Sequence, residues 1–492
     1  MIAQRTIRAL IIAALTALPA VRTVADSLQS ETIPTAQSTP GTATAARPNI
    51  VFITTDDQDL DLIRHMPRVQ SLLGEQGVTF ANAFVTLPLC SPSHVSMLTG
   101  QYPHNHGVLI NPSPLGGFVK FQDLGGEAST VATWLQAAGY RTGRVGKYLV
   151  GYSNGTTHVP PGWDEWQSYY NGYTPFRQYA LNENGRVVHY GTTPADYVTD
   201  VLADKAIAFI EETDPRPFFL FFSPPAPHSD TGPDGPTTPA VRHRGVFADL
   251  AAPRGPSFNE ADVSDKPPAI QRRAVLTDNE IAEIDYEYRT RAESLLAVDE
   301  AVERIVGALA ASGKLENTYI FFTSDNGYHL GEHRLPRGKG TPYEEDIRVP
   351  LLVRGPGVPA GRQLEHFALN IDFAPTFVDL SGARPERAMD GRSLVPLLQA
   401  TLPPPENWRQ DFLVEIYMGP AAVPPAGEEI RAIRTGQWMY AEYSTGARQL
   451  YDLRADPYQL ESLHDSASPE LVLQLADRLH EFATCSGDSC RK

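Results

Sequence analysis

Cys90 stands directly before a predicted helix that runs to Gly100. Pro92 suits the first helical position, and Gly100 suits a helix end. Backbone N–H groups and the positive end of the helix dipole would therefore face the cysteine. Such surroundings favour an anion or a nucleophile. The alternative is a buried and inert thiol, which is common for a free cysteine.

The cysteine count sets Cys90 apart. The chain has three cysteines, and the other two, Cys485 and Cys490, flank Ser-Gly-Asp-Ser near the C-terminus. A disulfide could close that short loop. Cys90 is then left as a lone thiol.

Two acidic pairs follow apolar, β-branched runs that indicate buried strands. Asp56-Asp57 follows residues 50–53, and Asp325-Asn326 follows residues 319–323. In open α/β sheets, ligands bind beyond the carboxyl ends of strands, where two such pairs can converge. Three carboxylates and one amide oxygen are hard ligands that favour Ca²⁺ or Mg²⁺ over Zn²⁺. The alternative is turn chemistry, since Asp and Asn are common after strands.

Three further side chains could bind an anion or transfer a proton. Lys147 lies in Gly143–Tyr148, which is not a P-loop because the glycine spacing is wrong. His228 ends Ala-Pro-His after a phenylalanine-rich run, and Lys339 lies in the basic stretch 333–340. The alternatives are an exposed lysine, a loop histidine and a solvated basic loop.

The elements that position these residues alternate between strands and helices. Buried strands are predicted at 50–53, 218–222, 319–323 and 351–353, and helices at 62–76, 128–139, 194–212, 278–312 and 371–381. This alternation predicts an α/β fold with a mostly parallel sheet flanked by helices. After Pro403-Pro404-Pro405, short strands at 412–417, 429–435, 438–443 and 449–453 and a helix at 468–483 predict a smaller antiparallel sheet plus helix.

The N-terminal residues indicate export. Arg5 and Arg8 precede a short apolar run, and Thr23-Val24-Ala25 offers a cleavage site, so residues 1–25 are predicted to be a signal peptide. An uncleaved anchor is the alternative. Residues 26–47 have the composition of a disordered linker. We expect a catalytic domain at 48–402, a C-terminal subdomain at 403–492, secretion or periplasmic localisation, and no stable membrane insertion.

The excess of acidic over basic residues argues against a nucleic-acid partner. Lysine and arginine number 41 against 58 acidic residues, so the net charge is −17. A nucleic-acid binder would need a basic face, so we expect no nucleic-acid partner. An anionic small substrate stays possible because the local charge of the site decides its binding.

The string from Cys90 to Gly100 closely resembles the signature of the sulfatase family, in which Cys-x-Pro-Ser-Arg precedes Leu-Thr-Gly. Gly146-Lys147-Tyr148 is similar to that family's Gly-Lys-[Trp/Tyr] motif. The resemblance implies an alkaline-phosphatase-like fold and a formylglycine made from Cys90 by a maturation enzyme. The hydrated formylglycine would attack a sulfate ester.

The resemblance also implies roles for individual residues. Lys147 and Lys339 would hold the sulfate of a small-molecule or glycan ester, and His228 would protonate the leaving group. Cys90 and His94 complete the catalytic set. One Ca²⁺ per chain would be bound by Asp56, Asp57, Cys90, Asp325 and Asn326.

Two positions depart from the sulfatase pattern. His94 stands where the family has arginine, and Leu149 stands where many members have histidine. A histidine beside a divalent cation would tend to be neutral, so weaker maturation or weaker catalysis is expected. The Gly-Lys-Tyr-Leu form is similar to the N-acetylglucosamine-6-sulfatase and arylsulfatase branch. The sequence assigns neither His104 nor His329 as a substitute for the missing histidine.

Two alternative functions stay open. One is a phosphodiesterase or phosphonate hydrolase of the same superfamily, which would prefer phosphate diesters to sulfate esters. The related zinc phosphodiesterases commonly have Asp-His where this chain has Asp325-Asn326, which favours a sulfatase. The other is a sulfated-glycan-binding pseudoenzyme that never converts Cys90.

Overall fold

A computed structural model describes residues 47–152, 157–170, 175–230, 236–399, 405, 407–417 and 428–492. The predicted signal peptide, and the predicted linker except for Arg47, lie outside these ranges. The predicted domain boundary between residues 402 and 403 also lies outside them, so it stays a prediction.

The described residues form strands and helices in close agreement with the predicted pattern. The strands are β1 (Asn49–Thr55), β2 (Val78–Phe80), β3 (Ala83–Phe84), β4 (Arg141–Gly146), β5 (Glu165–Tyr169), β6 (Ala180–Glu183), β7 (Arg186–His189), β8 (Phe218–Ser223), β9 (Thr318–Ser324), β10 (Leu351–Arg354), β11 (Arg362–Leu364), β12 (Ala368–Leu369), β13 (Asp411–Tyr417), β14 (Glu429–Thr435), β15 (Trp438–Tyr443) and β16 (Arg448–Asp452). The α-helices are α1 (Pro67–Val69), α2 (Cys90–Thr99), α3 (Pro103–His106), α4 (Gly117–Asp123), α5 (Val131–Ala137), α6 (Val198–Glu211), α7 (Pro268–Gln271), α8 (Asp278–Ala311), α9 (Glu344–Ile347), α10 (Phe373–Ser381), α11 (Val395–Leu398) and α12 (Pro469–Phe482).

The main sheet has ten strands in the order β11-β2-β10-β9-β1-β8-β4-β5-β6-β7. Its centre, from β9 to β5, is parallel throughout. Strands β1, β8 and β9 are buried along their whole length because helices cover both faces. The carboxyl ends of these central strands therefore meet at one edge of the sheet. The predicted α/β fold is confirmed.

One predicted helix, at 62–76, is broken into three pieces. A 3-10 turn covers Asp61–His65, α1 covers Pro67–Val69, and a π turn covers Gln70–Gly74. Pro67 explains the break because its ring has no N–H to donate and crowds the preceding turn.

The predicted smaller sheet is confirmed, with β13, β14, β15 and β16 antiparallel in chain order. Its apolar face shares a core with Phe84, Tyr102 and Phe367, and α12 packs on it. The predicted disulfide is present between Cys485 and Cys490, with 5.0 Å between the Cα atoms. Among the described residues, no helix combines the length and apolar character that a membrane crossing needs.

His104 links α3 to the smaller sheet. Its Nδ1 lies 2.8 Å from Oε2 of Glu415, and its Nε2 lies 2.9 Å from the carbonyl oxygen of Cys485. Both partners are acceptors, so both ring nitrogens donate only when the ring is protonated. Burial lowers the pKa of His104, but the hydrogen bond and charge of Glu415 outweigh burial and raise it above its usual value.

We expect this contact to make stability depend on pH. Because the pKa is raised in the folded state, the contribution is complete below about pH 6.5 and is lost as the pH rises through the folded value. His104→Gln should lower the free energy of unfolding by about 1 to 3 kcal/mol at pH 6 and by less at pH 9. Urea unfolding at both pH values measures the difference, and an equal loss at both would contradict the charged contact.

Candidate active site

Charged side chains of the predicted site follow four adjacent strands of the main sheet. Asp325 follows β9, Asp56 follows β1, and Lys147 follows β4 directly. His228 lies in the loop after β8. Because these four strands are neighbours and parallel, their carboxyl ends bring the residues together. Cys90 and Lys339 come from α2 and from a loop after β9.

The acidic pairs converge as the sequence predicted. Oδ1 of Asp325 accepts a hydrogen bond from the backbone N–H of Asp57 at 2.9 Å, and Nδ2 of Asn326 donates to Oδ1 of Asp57 at 2.8 Å. All four residues of the two pairs are almost fully buried. Asp57 also has a φ of 69°, a left-handed conformation that is uncommon outside glycine. Such backbone geometry concentrates at functional sites.

The two lysines lie against these carboxylates. Nζ of Lys147 lies 2.6 Å from Oδ1 of Asp56 and 3.5 Å from Oδ2 of Asp325. Nζ of Lys339 contacts Oδ1 of Asp57 and lies 2.8 Å from Sγ of Cys90. Burial alone would lower the pKa of each lysine, but the carboxylates raise both above the usual value. Both side chains are therefore cations inside the site.

The carboxylates differ in pKa because their partners differ. Burial raises the pKa of Asp56 to about 6, more than Lys147 lowers it. Burial also acts on Asp57, but Lys339, His228 and Lys147 together outweigh it and bring the pKa to about 2. Lys147 and His94 likewise outweigh burial at Asp325 and lower its pKa.

This arrangement fits a hard divalent cation. Oδ2 of Asp56 is buried and accepts no hydrogen bond in the described structure, and Oδ2 of Asp325 makes only the longer contacts with His94 and Lys147. Buried oxygens left without a donor call for an ion or another partner. Ligand atoms of Asp56, Asp57, Cys90 and His228 all lie within 4.8 Å of one another. The carboxylates of Asp56, Asp57 and Asp325 and the amide oxygen of Asn326 are the oxygen ligands that suit Ca²⁺ or Mg²⁺.

The helix after Leu89 begins two residues earlier than predicted, so it includes Cys90. Cys90 is the first residue of α2, and Pro92 is the third. Proline is tolerated there because the first turn of a helix leaves its N–H groups unpaired. Gly100 ends the helix in the left-handed conformation, as predicted.

The thiol of Cys90 is not the activated nucleophile that its position suggested. Burial raises its pKa to about 12, although Lys147 and Lys339 act in the opposite direction. A thiol with this pKa is almost entirely protonated at neutral pH.

His228 faces the site and is the least buried of its charged residues. Its Nε2 lies 3.7 Å from Oδ2 of Asp57, and 23% of the side chain is exposed. Its Nδ1 lies 2.9 Å from the carbonyl oxygen of Ser229, so this nitrogen carries the proton that is donated there. Nε2 is then the atom directed at the site.

His94 lies behind the carboxylates, with 1% of its surface exposed. Its Nε2 lies 3.3 Å from Oδ2 of Asp325. Burial lowers the pKa of His94 to about 4, which agrees with the neutral ring expected from the sequence.

Two arginines that the sequence analysis missed lie beside these residues. Arg144 in β4 contacts His94 and the carbonyl oxygen of Lys147. Arg291 in α8 donates to the carbonyl oxygens of Asp57 and Pro227. The sequence held one signal for Arg144, which is a charged residue inside a predicted buried segment. It held no signal for Arg291, because a charged residue is ordinary in a long amphipathic helix such as α8.

Gly146 permits the close approach that places Lys147. Its φ is 114°, and a Cβ atom at this position would lie 2.0 Å from the carbonyl oxygen of Ser223. The next residue uses that same carbonyl, because the N–H of Lys147 donates to it at 2.8 Å. Only glycine fits this turn.

Asp346 organises the loop that carries Lys339. Its carboxylate accepts from Nδ1 of His329 at 2.9 Å and from the N–H of Thr341 at 2.8 Å. His329 and Gly338 also exchange two backbone hydrogen bonds. His329 therefore belongs to the support of this loop, and His104 belongs to the junction with the smaller sheet. Leu149 is buried in the core.

The structure has a cavity of about 510 Å³, and some of its lining residues follow the two acidic pairs closely along the chain. Asp59 and Tyr328, each two residues beyond a pair, contribute to its wall. Its lining includes Glu332, Glu344 and Glu345 but not the lysines or Cys90. The cavity therefore has a volume typical of small-molecule sites and an acidic wall.

Comparison with known proteins shows the family of the chain. A family model described as Sulfatase matches residues 48–383, and a second, described as N-sulphoglucosamine sulphohydrolase, C-terminal, matches residues 331–484. An N-acetylglucosamine-6-sulfatase from Capra hircus is 36% identical, covering 90% of this chain and 85% of its own length. An arylsulfatase from Volvox carteri is also 36% identical, covering 91% of this chain and 77% of its own length.

Solved structures give the same result. A protein in complex with its substrate D-glucosamine-2-N,6-O-disulfate has a TM-score of 0.76 and 26% identity, with 88% of this chain and 97% of that chain covered. A phosphonate monoester hydrolase from Agrobacterium radiobacter shares the fold, with a TM-score of 0.68, 24% identity, and 89% and 95% coverage. The chain belongs to the sulfatase family. It is a sulfatase, an enzyme that hydrolyses sulfate esters, and the predicted resemblance to the N-acetylglucosamine-6-sulfatase and arylsulfatase branch is confirmed.

The structure makes a prediction about unconverted Cys90. Because the other two cysteines form a disulfide, Cys90 supplies the one thiol of the chain. Its burial and raised pKa should slow alkylation by iodoacetamide at pH 8 by at least about 10-fold relative to the urea-unfolded protein. Mass spectrometry of protein made without a maturation enzyme measures this. Equally fast labelling of the folded and unfolded protein would contradict it.

Proposed function

We propose that the protein is an exported, Ca²⁺-dependent sulfatase that acts through a formylglycine made from Cys90, on a 6-O-sulfated glucosamine or an aryl sulfate. The observation that carries this proposal is the group of two lysines and three carboxylates around Cys90. The inert thiol supports the formylglycine because Cys90 would gain a nucleophile only by conversion.

The charges of the site support an anionic substrate. Asp56, Asp57 and Asp325 carry one more charge than Lys147 and Lys339 neutralise. A bound divalent cation would leave this group of five side chains net positive when all three carboxylates are ionised. The single negative charge of a sulfate monoester would therefore be attracted to the centre.

The side chains of the site suit separate tasks. Lys147 and Lys339 would bind sulfate oxygens on which negative charge accumulates. His228, with Nε2 directed at the site and part of its surface exposed, would protonate the departing alcohol from Nε2 when the ring carries a proton on both nitrogens. When present, Ca²⁺ would polarise the sulfate, and the hydrated aldehyde would supply the nucleophile.

The relatives support a sugar as the alcohol part. The goat protein is an N-acetylglucosamine-6-sulfatase, and the solved neighbour binds D-glucosamine-2-N,6-O-disulfate. In this chain the sugar would lie in the cavity lined by Asp59, Glu332 and Tyr328, where carboxylates can accept hydrogen bonds from hydroxyl groups. Export is proposed from the N-terminal sequence and fits the disulfide between Cys485 and Cys490.

The first test is the mass of the peptide that contains Cys90, from protein made in its native host. We expect an aldehyde in place of the thiol and turnover of 6-sulfated N-acetylglucosamine or an aryl sulfate. Cys90→Ala should abolish turnover and keep the fold. An unmodified cysteine in every preparation would exclude the formylglycine mechanism.

The alternative is a phosphodiesterase or phosphonate hydrolase, because the Agrobacterium enzyme shares the fold and a phosphate diester also carries a single charge. Comparing kcat/KM for an aryl sulfate and an aryl phosphate diester separates the two. A higher value for the diester would favour the alternative. Glycan binding without turnover or conversion would instead favour a pseudoenzyme.

Calcium makes a separate prediction that needs no turnover. Calorimetry should show one Ca²⁺ bound per chain, and Asp325→Asn should weaken binding by more than about 10-fold because it removes a charged ligand. Asp59→Asn is the matched control. Asp59 is a buried carboxylate two residues after Asp57, and we assign it no contact with the metal. Unchanged affinity in Asp325→Asn would contradict the ligand set, and tighter binding of Mg²⁺ would contradict the choice of ion.

A further inference from the structure

Arg144 is a buried cation without an acidic partner in the described part of the chain. Its side chain is fully buried, and its Nε and Nη1 have no hydrogen-bond partner there. Its guanidinium lies 3.8 Å from the ring centre of Phe221. Arg144 and Phe221 are register partners on β4 and β8, so both side chains emerge on one face of the sheet. Burying a charge without an ion pair is costly, which suggests that the cation serves the site.

Arg144 contacts two residues of the active site at once. Its Nη2 donates to the carbonyl oxygen of Lys147 and lies 3.5 Å from Nδ1 of His94. The first contact holds the backbone that presents Lys147 to Asp56. The second lies on the far side of the His94 ring from the carboxylates.

The contact with Arg144 selects the tautomer of His94 in which the ring proton lies on Nε2. An arginine can only donate hydrogen bonds, so Nδ1 of His94 must accept, and the ring proton stays on Nε2. Nε2, which then carries the proton, faces Oδ2 of Asp325 at 3.3 Å. Fixing the ring of such a supporting histidine fixes the carboxylate that it contacts.

We propose that Arg144 is a positioning residue that supplies from β4 the guanidinium that the sulfatase signature carries at position 94. It orients His94 towards Asp325 and holds the backbone of Lys147. Position 94 then contributes a neutral ring, and the cation comes from the neighbouring strand. The catalytic consequence of this proposal rests on the proposed function. The contact between Arg144 and His94 does not depend on that function.

The test compares three single variants and one double variant on an aryl sulfate, with kcat expressed per converted Cys90. Arg144→Met should lower kcat by about 10-fold or more and change KM less than about threefold, because it disturbs the support of the site rather than the substrate contacts. Arg144→Lys should retain part of the activity. His94→Arg together with Arg144→Met should recover most of the loss, because it returns the guanidinium to position 94.

Arg141→Met is the matched control. Arg141 is also a buried arginine of β4 with its guanidinium 3.8 Å from a phenylalanine ring, here Phe209, but it lies at the other end of the strand. It should lower the urea midpoint and leave kcat unchanged. An unchanged kcat in Arg144→Met, an equal loss in Arg141→Met, or no recovery in the double variant would overturn the positioning role.

A measurement without turnover separates this proposal from the proposed function. His94→Ala, Arg144→Met and their combination should have non-additive urea midpoints, because the residues share a contact. Additive midpoints would overturn the contact even in an active enzyme. A wild-type protein that lacks both aldehyde and turnover would contradict the proposed function, while non-additive midpoints would still support the pairing.

Discussion

The site depends on holding three carboxylates together inside the protein. Asp56, Asp57 and Asp325 repel one another and lose water on burial, so they need cations nearby. Lys147 and Lys339 supply part of that charge and still leave Oδ2 of Asp56 without a donor. A divalent cation is the simplest partner that completes the balance.

The order of the strands makes this concentration of charge possible. Strands β9, β1, β8 and β4 are parallel neighbours, so each delivers its following loop to the same edge. The apolar strands cross the core, and their polar continuations meet just outside it. The same strand order therefore buries the central strands on both faces and brings charged side chains together at their carboxyl ends. The smaller sheet completes the core next to α3 rather than entering this edge.

Much of this arrangement could be predicted because its signals are local. The acidic pairs directly follow apolar runs, and Cys90 lies in a motif of neighbouring residues. What could not be predicted depends on distant partners. The raised pKa of the Cys90 thiol comes from burial that only the assembled sheet produces. The break at Pro67 was a local signal, but the apolar spacing around it favoured one continuous helix.

The departure at His94 shows why one motif position is weak evidence about activity. Arginine contributes a charge and a set of donors, and these two contributions can come from different residues. Here the ring of His94 in α2 lies against Asp325, and Arg144 in β4 places a guanidinium behind it. The charge of the signature is therefore present close to its usual place, although the motif lacks it. A sequence comparison counts this as a loss, whereas the contact between Arg144 and His94 indicates a transfer.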